Sequence, residues 1–251
     1  MSKNYFNKSQ YMSVPLSVNK KQQDLKAKAD ILRSEKSFKQ AITIYLNSVL
    51  IDRSNPETYF GLGICYKNLG KIKKAIEYFE KSALLDKNNF ETFFELGMCH
   101  LKNESPCCAI KCFIQAIQID PENPEAIYQL GQAHEQAQEQ DMALMIYQKL
   151  IENTPNYIDA YVGKSSLLIK MELYRQAVAL NKEIIKINPN FGDAYFNIGF
   201  CLDKLGKQRE AKRFYHKYLE RCPQNENANY VMKRVGCLRK ISSSCANLSI
   251  V

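Results

Sequence analysis

Five residues that could bind a soft metal ion fall within a stretch of fourteen: Cys99, His100, Cys107, Cys108 and Cys112. Thiolates and imidazoles are ligands that zinc prefers in proteins. The spacing disfavours a zinc site, because Cys99 and His100 are neighbours on one helix and point in different directions, while Cys108 and Cys112 share a face of the next helix. Cysteine is also among the most frequently buried residue types. We therefore predict no metal and no cofactor, and the sequence leaves a redox role of this cluster open.

The rest of the chain offers little for catalysis. The histidines, His100, His134 and His216, have no serine or cysteine arranged near them in the sequence as an activated nucleophile would require. Gly163-Lys164-Ser165 resembles the end of a phosphate-binding loop, but Ile158 stands where the first glycine of such a loop belongs. The sequence thus predicts a protein that is not an enzyme.

The elements that carry these residues are set by an internal repeat. An alanine recurs at an interval of 34 residues, with no insertion between the repeats. Position 20 of the repeat is defined as this alanine, so six repeats cover residues 22–225. Their bounds are 22–55, 56–89, 90–123, 124–157, 158–191 and 192–225, with the alanines at Ala41, Ala75, Ala109, Ala143, Ala177 and Ala211.

Other positions of the repeat predict a helical hairpin. Positions 4, 7, 8 and 11 share one face of a first helix, and positions 20, 24 and 27 share one face of a second helix. Gly70 and Gly206 at position 15 mark the turn between the helices, and Asn55-Pro56 and Asn123-Pro124 supply a helix cap followed by a first-turn proline. Proline at position 32 ends the second helix in the last four repeats, at Pro121, Pro155, Pro189 and Pro223. Because such a hairpin cannot bury its apolar faces alone, neighbouring repeats must supply the core.

Two repeats carry enough of the pattern to indicate a family. Tyr59-Phe60-Gly61-Leu62-Gly63 with Tyr66, Gly70, Ala75 and Phe79 resembles the tetratricopeptide signature, as does Tyr195-Phe196-Asn197-Ile198-Gly199 with Gly206, Ala211, Tyr215 and Pro223. The resemblance covers residues 22–225 and implies an all-α, right-handed superhelical solenoid of tandem helix-turn-helix repeats. We expect residues 226–240 to form a capping helix. Residues 1–21 and 241–251 are expected to be disordered, since they are polar and lack helical periodicity.

The fifth repeat departs most from the family pattern. Lys164, Ser165 and Asn181 stand at positions where the other repeats carry core residues. This departure predicts a local softening near residues 158–191.

The resemblance also implies a concave groove lined by the first helices. The resemblance implies that positions 2, 5, 6, 9, 12 and 13 face a ligand there. Side chains at positions 5, 6 and 9 are predicted to contact a partner, and Tyr230 of the capping helix extends the row at position 5. The aromatic residues at position 5 have a second interpretation, which is simple packing against their neighbours. The predicted partner-binding residues are Phe60, Ile64, Phe94, Glu95, Met98, Tyr128, Gln129, Gln132, Phe196, Asn197 and Phe200.

Position 2 of five successive repeats is acidic, which bears on the charge of the partner. A basic partner is one interpretation. A favourable charge at a helix N-terminus, worth about 0.3–1 kcal/mol each, is the other and is favoured. The clamp of lysine, asparagine and arginine by which some family members hold a C-terminal carboxylate is absent, because Gly61 and Ile64 stand where asparagine is needed. The acidic residues are Glu57, Glu91, Glu125, Asp159 and Asp193.

Charge and hydropathy limit the class of partner. The net charge of +9 arises at the two ends, whereas residues 90–157 carry 3 basic and 10 acidic residues, which disfavours a continuous nucleic-acid surface. RNA binding through the basic ends stays a minor alternative. No apolar run is long enough for a membrane span and no secretion signal is present, so we expect a cytoplasmic protein with reduced cysteines.

The function predicted from these features is a scaffold or adaptor that binds a peptide or helix of another protein. The alternative is a regulatory repeat subunit of a separate enzyme, or of a secretion or assembly machinery, without a ligand of its own. Residues 248–251 resemble a ligand of PDZ domains, although a disordered tail is the favoured interpretation. The identity of the partner and the oligomeric state are left open.

Overall fold

The computed structural model describes the backbone of residues 16–236 and the side chains of residues 20–236. Within that range the chain is all-α and contains no strand. It divides into two compact units, one ending at Glu122 and the other beginning at Asn123. Each unit is built from successive helical hairpins, as expected for a helical solenoid.

The first unit consists of three hairpins. In each of them the two helices pack against one another, and in the first two hairpins the second helix also packs on the first helix of the next hairpin. The helices are α1 (Leu16–Ser34), α2 (Phe38–Ile51), α3 (Pro56–Asn68), α4 (Ile72–Leu85), α5 (Phe90–Lys102) and α6 (Pro106–Ile119).

The second unit repeats this arrangement and adds a final helix. Its hairpins are formed by α7 (Pro124–Gln136), α8 (Gln140–Asn153), α9 (Ile158–Lys170), α10 (Tyr174–Ile187), α11 (Gly192–Lys204) and α12 (Gln208–Arg221). Residues 228–236 form α13, which places Ala228, Val231 and Val235 in the core beside Tyr215 and Tyr218.

Side-chain caps fix where three of the first helices begin. The side chains of Asn55, Asn89 and Asn123 accept hydrogen bonds from the third backbone amide of α3, α5 and α7, at 3.1, 2.8 and 3.1 Å. Pro56 and Pro124 occupy the first turn of α3 and α7, where a missing N–H costs nothing. The asparagine and proline pairs predicted to start these two helices are confirmed.

The core of four hairpins depends on close approach of an aromatic ring to the glycine at position 8, which is Gly63, Gly97, Gly131 or Gly199. A Cβ added at Gly63 would lie 2.5 Å from the Phe79 ring, and one added at Gly199 would lie 2.7 Å from the Tyr215 ring. The small residue at position 8 is therefore required by the aromatic residue at position 24. The alanines at position 20 are fully buried in all six repeats, which explains the strict recurrence from which the repeat was recognised.

The N-terminal boundary differs from the sequence expectation. Helix α1 begins at Leu16, so residues 16–21 are helical where disorder was expected up to residue 21. Gln22 explains the difference, because it is buried and its Nε2 donates to Thr58 Oγ1 at 3.4 Å while its carbonyl accepts from Ser48 Oγ at 3.4 Å. Once Gln22 is held, the preceding polar residues extend the helix at little cost. Residues 1–15 and 237–251, including the expected tail, lie outside the described range.

Candidate functional site on the first helices

The aromatic residues predicted at position 5 lie on the first helices and are half-buried. The ring centroid of Phe60 is 5.6 Å from that of Phe79, the Phe94 centroid is 5.9 Å from that of Phe113, and the Tyr128 centroid is 5.7 Å from that of Tyr147. Each ring thus packs on the aromatic residue at position 24 of its own repeat. The packing interpretation of position 5 therefore applies to these three rings, each of which also keeps part of its surface exposed.

In the first unit the other predicted site residues contribute partly to the fold. Ile64 packs against the core formed by α1 to α5. Glu95 is bound to Lys67 of the preceding repeat, with 2.6 Å between Nζ and Oε2. Met98 is half-buried. A partner at this surface would therefore have to compete with an existing ion pair at Glu95.

In the fourth repeat the predicted polar residues are bound to neighbours on the same helix. Gln129 is only 8% exposed and donates to Glu125 at 2.8 Å, which leaves little of it for a partner. Gln132 donates to the Tyr128 hydroxyl at 3.0 Å and is more accessible. It lines a cavity of about 310 Å³ together with Glu135, Gln136 and Lys170.

The predicted residues of the sixth repeat converge on one apolar pocket, the Phe196 pocket. Its cavity has a volume of about 410 Å³, and it is lined by Ile169, Phe196, Asn197, Phe200, Asn227 and Tyr230. Phe196 lies at its centre, with its ring centroid 6.4 Å from that of Phe200 and 6.3 Å from that of Tyr230. The centroids of Tyr215 and Tyr218 lie 6.4 and 5.5 Å from the same ring. The pocket therefore has an aromatic wall that the core holds in place.

The side chains of Asn197 and Asn227 add amide groups to this wall. Asn197 Nδ2 donates to Asn181 Oδ1 over 3.5 Å, a long hydrogen bond that links the pocket to the interior of the fifth repeat. Tyr230 is 46% exposed although it faces the pocket, so this ring lies at the rim. A mainly apolar cavity with a few placed amide groups is the usual composition of a ligand pocket.

Two residues of the pocket were missed by sequence reasoning. Ile169 stands at position 12, which the family pattern assigns to the groove, so a signal for it existed. Asn227 lies after the last repeat, where the 34-residue period no longer applies. Only the packing of α13 against α11 and α12 brings that side chain to the pocket.

The acidic row at position 2 is exposed along both units, each residue lying in the first turn of its helix. Glu57 binds Lys26 at 2.5 Å, and Glu125 accepts hydrogen bonds from Gln129 and from the Tyr157 hydroxyl, the latter at 2.6 Å. The pKa of Tyr128 is raised, first by burial and then by the nearby carboxylates of Asp159, Glu135 and Glu125. The first turns of the first helices in the second unit thus present exposed carboxylates, at Glu125, Asp159 and Asp193.

The cysteine cluster is divided by its surroundings. Cys99 is buried and Cys112 is partly buried, and burial raises the pKa of these thiols to about 11 and about 12. Cys107 and Cys108 are exposed at the start of α6. Over the described residues no group of three histidine, cysteine or acidic side chains is placed to hold a metal ion.

The hairpins define an all-α helical-repeat protein, in which the Phe196 pocket opens beside α9, α11 and α13. Four family models described as tetratricopeptide or TPR repeats match the chain, at residues 56–89, 109–138, 125–157 and 180–213. The chain belongs to the tetratricopeptide repeat family, as the two signature repeats predicted. Together with its structural neighbours, this membership supports a protein-interaction scaffold as the class of protein.

Solved structures of similar fold include other repeat proteins. MamA is 29% identical, with a TM-score of 0.59 over 64% of this chain and 94% of MamA. YrrB, described as a TPR protein with an unusual peptide-binding site, is 17% identical, with a TM-score of 0.59 over 75% of this chain and 97% of YrrB. The pilF protein of Pseudomonas aeruginosa is 14% identical, with a TM-score of 0.64 over 86% of this chain and 99% of pilF.

No curated protein matches the sequence. Between residues 16 and 236 no helix has the length and apolar character needed to cross a bilayer.

Proposed function

We propose that this chain is a scaffold that binds a segment of a partner protein on its first helices, and that the Phe196 pocket receives the main apolar side chain of that segment. The proposal rests on one observation, which is that the rings of Phe196, Phe200 and Tyr230 line one open cavity together with Ile169. Buried aromatic contacts at the centre of an interface supply most of its binding energy. Catalysis has no part in this proposal.

The amide groups of the pocket support an extended or helical peptide as the ligand. Asn197 and Asn227 line the cavity beside the aromatic wall, so they can exchange hydrogen bonds with the backbone of a bound segment. YrrB, which shares the fold, has a peptide-binding site of its own. The negative row at position 2 further favours a segment with basic residues on either side of its apolar anchor.

The test is a selection of peptides from a displayed random library on the purified protein, followed by affinity measurements on individual peptides. We expect selected peptides to share a large apolar residue. Replacing that residue by alanine should weaken binding about tenfold or more, in line with the loss of a buried anchor.

Variants of the protein locate the bound peptide. Phe200→Ala and Tyr230→Ala each remove one aromatic ring that lines the pocket, and each should weaken the same peptides about tenfold. Leu84→Ala is the matched control, since Leu84 is 75% exposed on α4, the second helix of its hairpin, and does not line the pocket. Equal affinities for the control and the two pocket variants, with helical circular dichroism intact, would show that the pocket is not the binding site.

A further inference from the structure

The outer face of the second helices in repeats five and six carries an unusual set of cations. Positions 20, 24 and 27 of these helices are buried, so positions 18, 22, 25 and 26 point away from the core, and position 21 lies at its edge, where Val178 packs on the core and Lys212 is half-buried. In α10 and α12 this outer stripe contains six basic residues: Arg175, Lys182, Arg209, Lys212, Arg213 and Lys217. They form what is called here the outer basic stripe.

The stripe is not neutralised by its own helices. The acidic residues of α10 and α12 are Glu183, Glu210 and Glu220, and each already has a cation within 4 Å: Lys186 at 2.8 Å, Lys207 at 3.5 Å and Arg221 at 3.7 Å. By contrast, no carboxylate of the described chain lies within ion-pair distance of any of the six cations of the stripe. Six positive charges are therefore available to a ligand.

The same positions in the other repeats do not form such a stripe. In α8 they hold Asp141, Leu144, Met145, Gln148 and Lys149, and in α4 they include Glu77 and Glu80. If these basic residues served solubility alone, they would not need to be confined to two adjacent repeats. The first turns of the first helices in the same unit carry the opposite charge, with Glu125, Asp159 and Asp193 exposed. An anionic ligand would thus be attracted to the outer face and repelled from those first turns.

We propose that the outer basic stripe is a second docking surface, for an acidic segment of a partner polypeptide. Carboxylates suit it because arginine guanidinium groups bind them in a bidentate geometry. None of the large apolar residues on α10 or α12 is among the exposed ones. Phe214 is partly buried against Tyr195 and lies under the Lys217 ammonium group, 5.6 Å from its ring centroid. The stripe therefore offers neither a free ring for stacking bases nor a wedge for entering a lipid layer.

This surface is separate from the Phe196 pocket, so the scaffold can bind two segments together. The test measures fluorescence anisotropy of a labelled glutamate-rich peptide with the full-length protein. The variant Arg209→Glu/Arg213→Glu/Lys217→Glu should bind the peptide at least about tenfold more weakly than the unaltered protein. Phe200→Ala should leave this affinity unchanged, which separates the two proposals.

The matched control is Lys39→Glu/Lys73→Glu/Lys111→Glu. It alters three exposed lysines at positions 18, 18 and 22 of the first three repeats, with the same change in net charge. Affinity should fall by no more than about twofold in this control. Equal losses of peptide affinity in the two triple variants would show that only the net charge of the protein matters, which would overturn the proposal. If charge reversal unfolds α12, seen as lost helical circular dichroism, Arg209→Gln/Arg213→Gln/Lys217→Gln replaces it with the same expected direction.

Two further probes decide the class of ligand. A single-stranded RNA oligonucleotide and vesicles containing phosphatidylserine are titrated with the same variants. We expect neither to bind in a manner that depends on Arg209, Arg213 and Lys217. Binding of RNA or vesicles that is lost in the reversal variant, without binding of the acidic peptide, would assign the stripe to phosphate groups and refute the proposal.

Discussion

At the scale of single residues, the fifth repeat shows how a polar pair replaces an aromatic contact in the core. Asn181 occupies position 24, where the other repeats have an aromatic ring, and it is fully buried. Its Nδ2 donates to Ser165 Oγ and, at 2.8 Å, to the carbonyl of Ala177. Ser165 stands at position 8, where four repeats have glycine. The two departures from the repeat pattern therefore compensate each other, because each polar group satisfies the other.

This compensation predicts a measurable coupling between positions 165 and 181. Asn181→Tyr alone should destabilise the protein by about 1–3 kcal/mol, because the ring would overlap the Ser165 side chain. Ser165→Gly alone should cost about 1 kcal/mol by removing a hydrogen-bond partner of Asn181. The double variant restores the glycine and tyrosine pair of Gly131 and Tyr147, so it should be more stable than the sum of the single effects implies.

Urea denaturation followed by circular dichroism measures the coupling. A coupling free energy of about 0.5–3 kcal/mol in the double-mutant cycle is expected for residues in contact. Additive effects would mean that the two side chains do not depend on each other.

At the scale of elements, the turn between the two helices of a hairpin has one backbone conformation in all six repeats. Position 15 has a positive φ everywhere: +72° and +75° at the two glycines, and 55° to 64° at Lys36, Glu104, Gln138 and Glu172. This left-handed conformation is strained for residues with a Cβ. In each repeat the backbone amide of the next residue donates a hydrogen bond to a carbonyl of the first helix, as Glu139 N does to His134 O at 2.9 Å. The packing of the two helices imposes this turn, and the folded protein retains the backbone strain at position 15.

Replacing such a residue by glycine should relieve the strain. Gln138→Gly is the cleanest case, because Gln138 is exposed and the change leaves the charge unaltered. We expect stability to rise by about 0.5–1 kcal/mol, which is the strain less the added entropy of glycine in the unfolded chain. Lys149→Gly, at an exposed position inside α8, serves as control and should lower stability by about 1 kcal/mol. A loss of stability in Gln138→Gly, as measured by chemical denaturation, would contradict this account of the turn.

The helices and turns show how much of the fold could be predicted from the sequence. The period of 34 residues located every hairpin, because the fully buried alanines at position 20 allow no other residue at close helix contacts. The turn was visible only at Gly70 and Gly206, since Gln138 and its equivalents adopt the same φ under tertiary constraint. Phe196, Asn197 and Phe200 line an open cavity, whereas Gln129, at the same repeat position as Asn197, is nearly buried, and contact of these residues with a partner stays a prediction. The spacing of residues within a helix predicts on which face a residue lies, but its burial depends on which neighbouring helices cover that face.

At the scale of the whole molecule, linear connectivity determines how far a disturbance spreads. Each hairpin packs on its sequence neighbours within its unit, and the final hairpin is covered by α13. Stability in such an array is approximately the sum of repeat and interface contributions. A defect at the end of the second unit should therefore unfold repeat six while leaving the first unit folded.

Val231→Asp tests this locality. Val231 is fully buried against the sixth repeat, so the carboxylate would lose its hydration without gaining a partner. Hydrogen exchange should show lost protection in α11 and α12 and unchanged protection in α3 and α4. Met232→Asp is the matched control, because Met232 is 51% exposed on the same helix and its replacement should leave exchange in α11 and α12 unaltered. Loss of protection of similar size in α3 and α4 would instead reveal a single cooperative molecule, in which the covering of repeat six by α13 stabilises every hairpin.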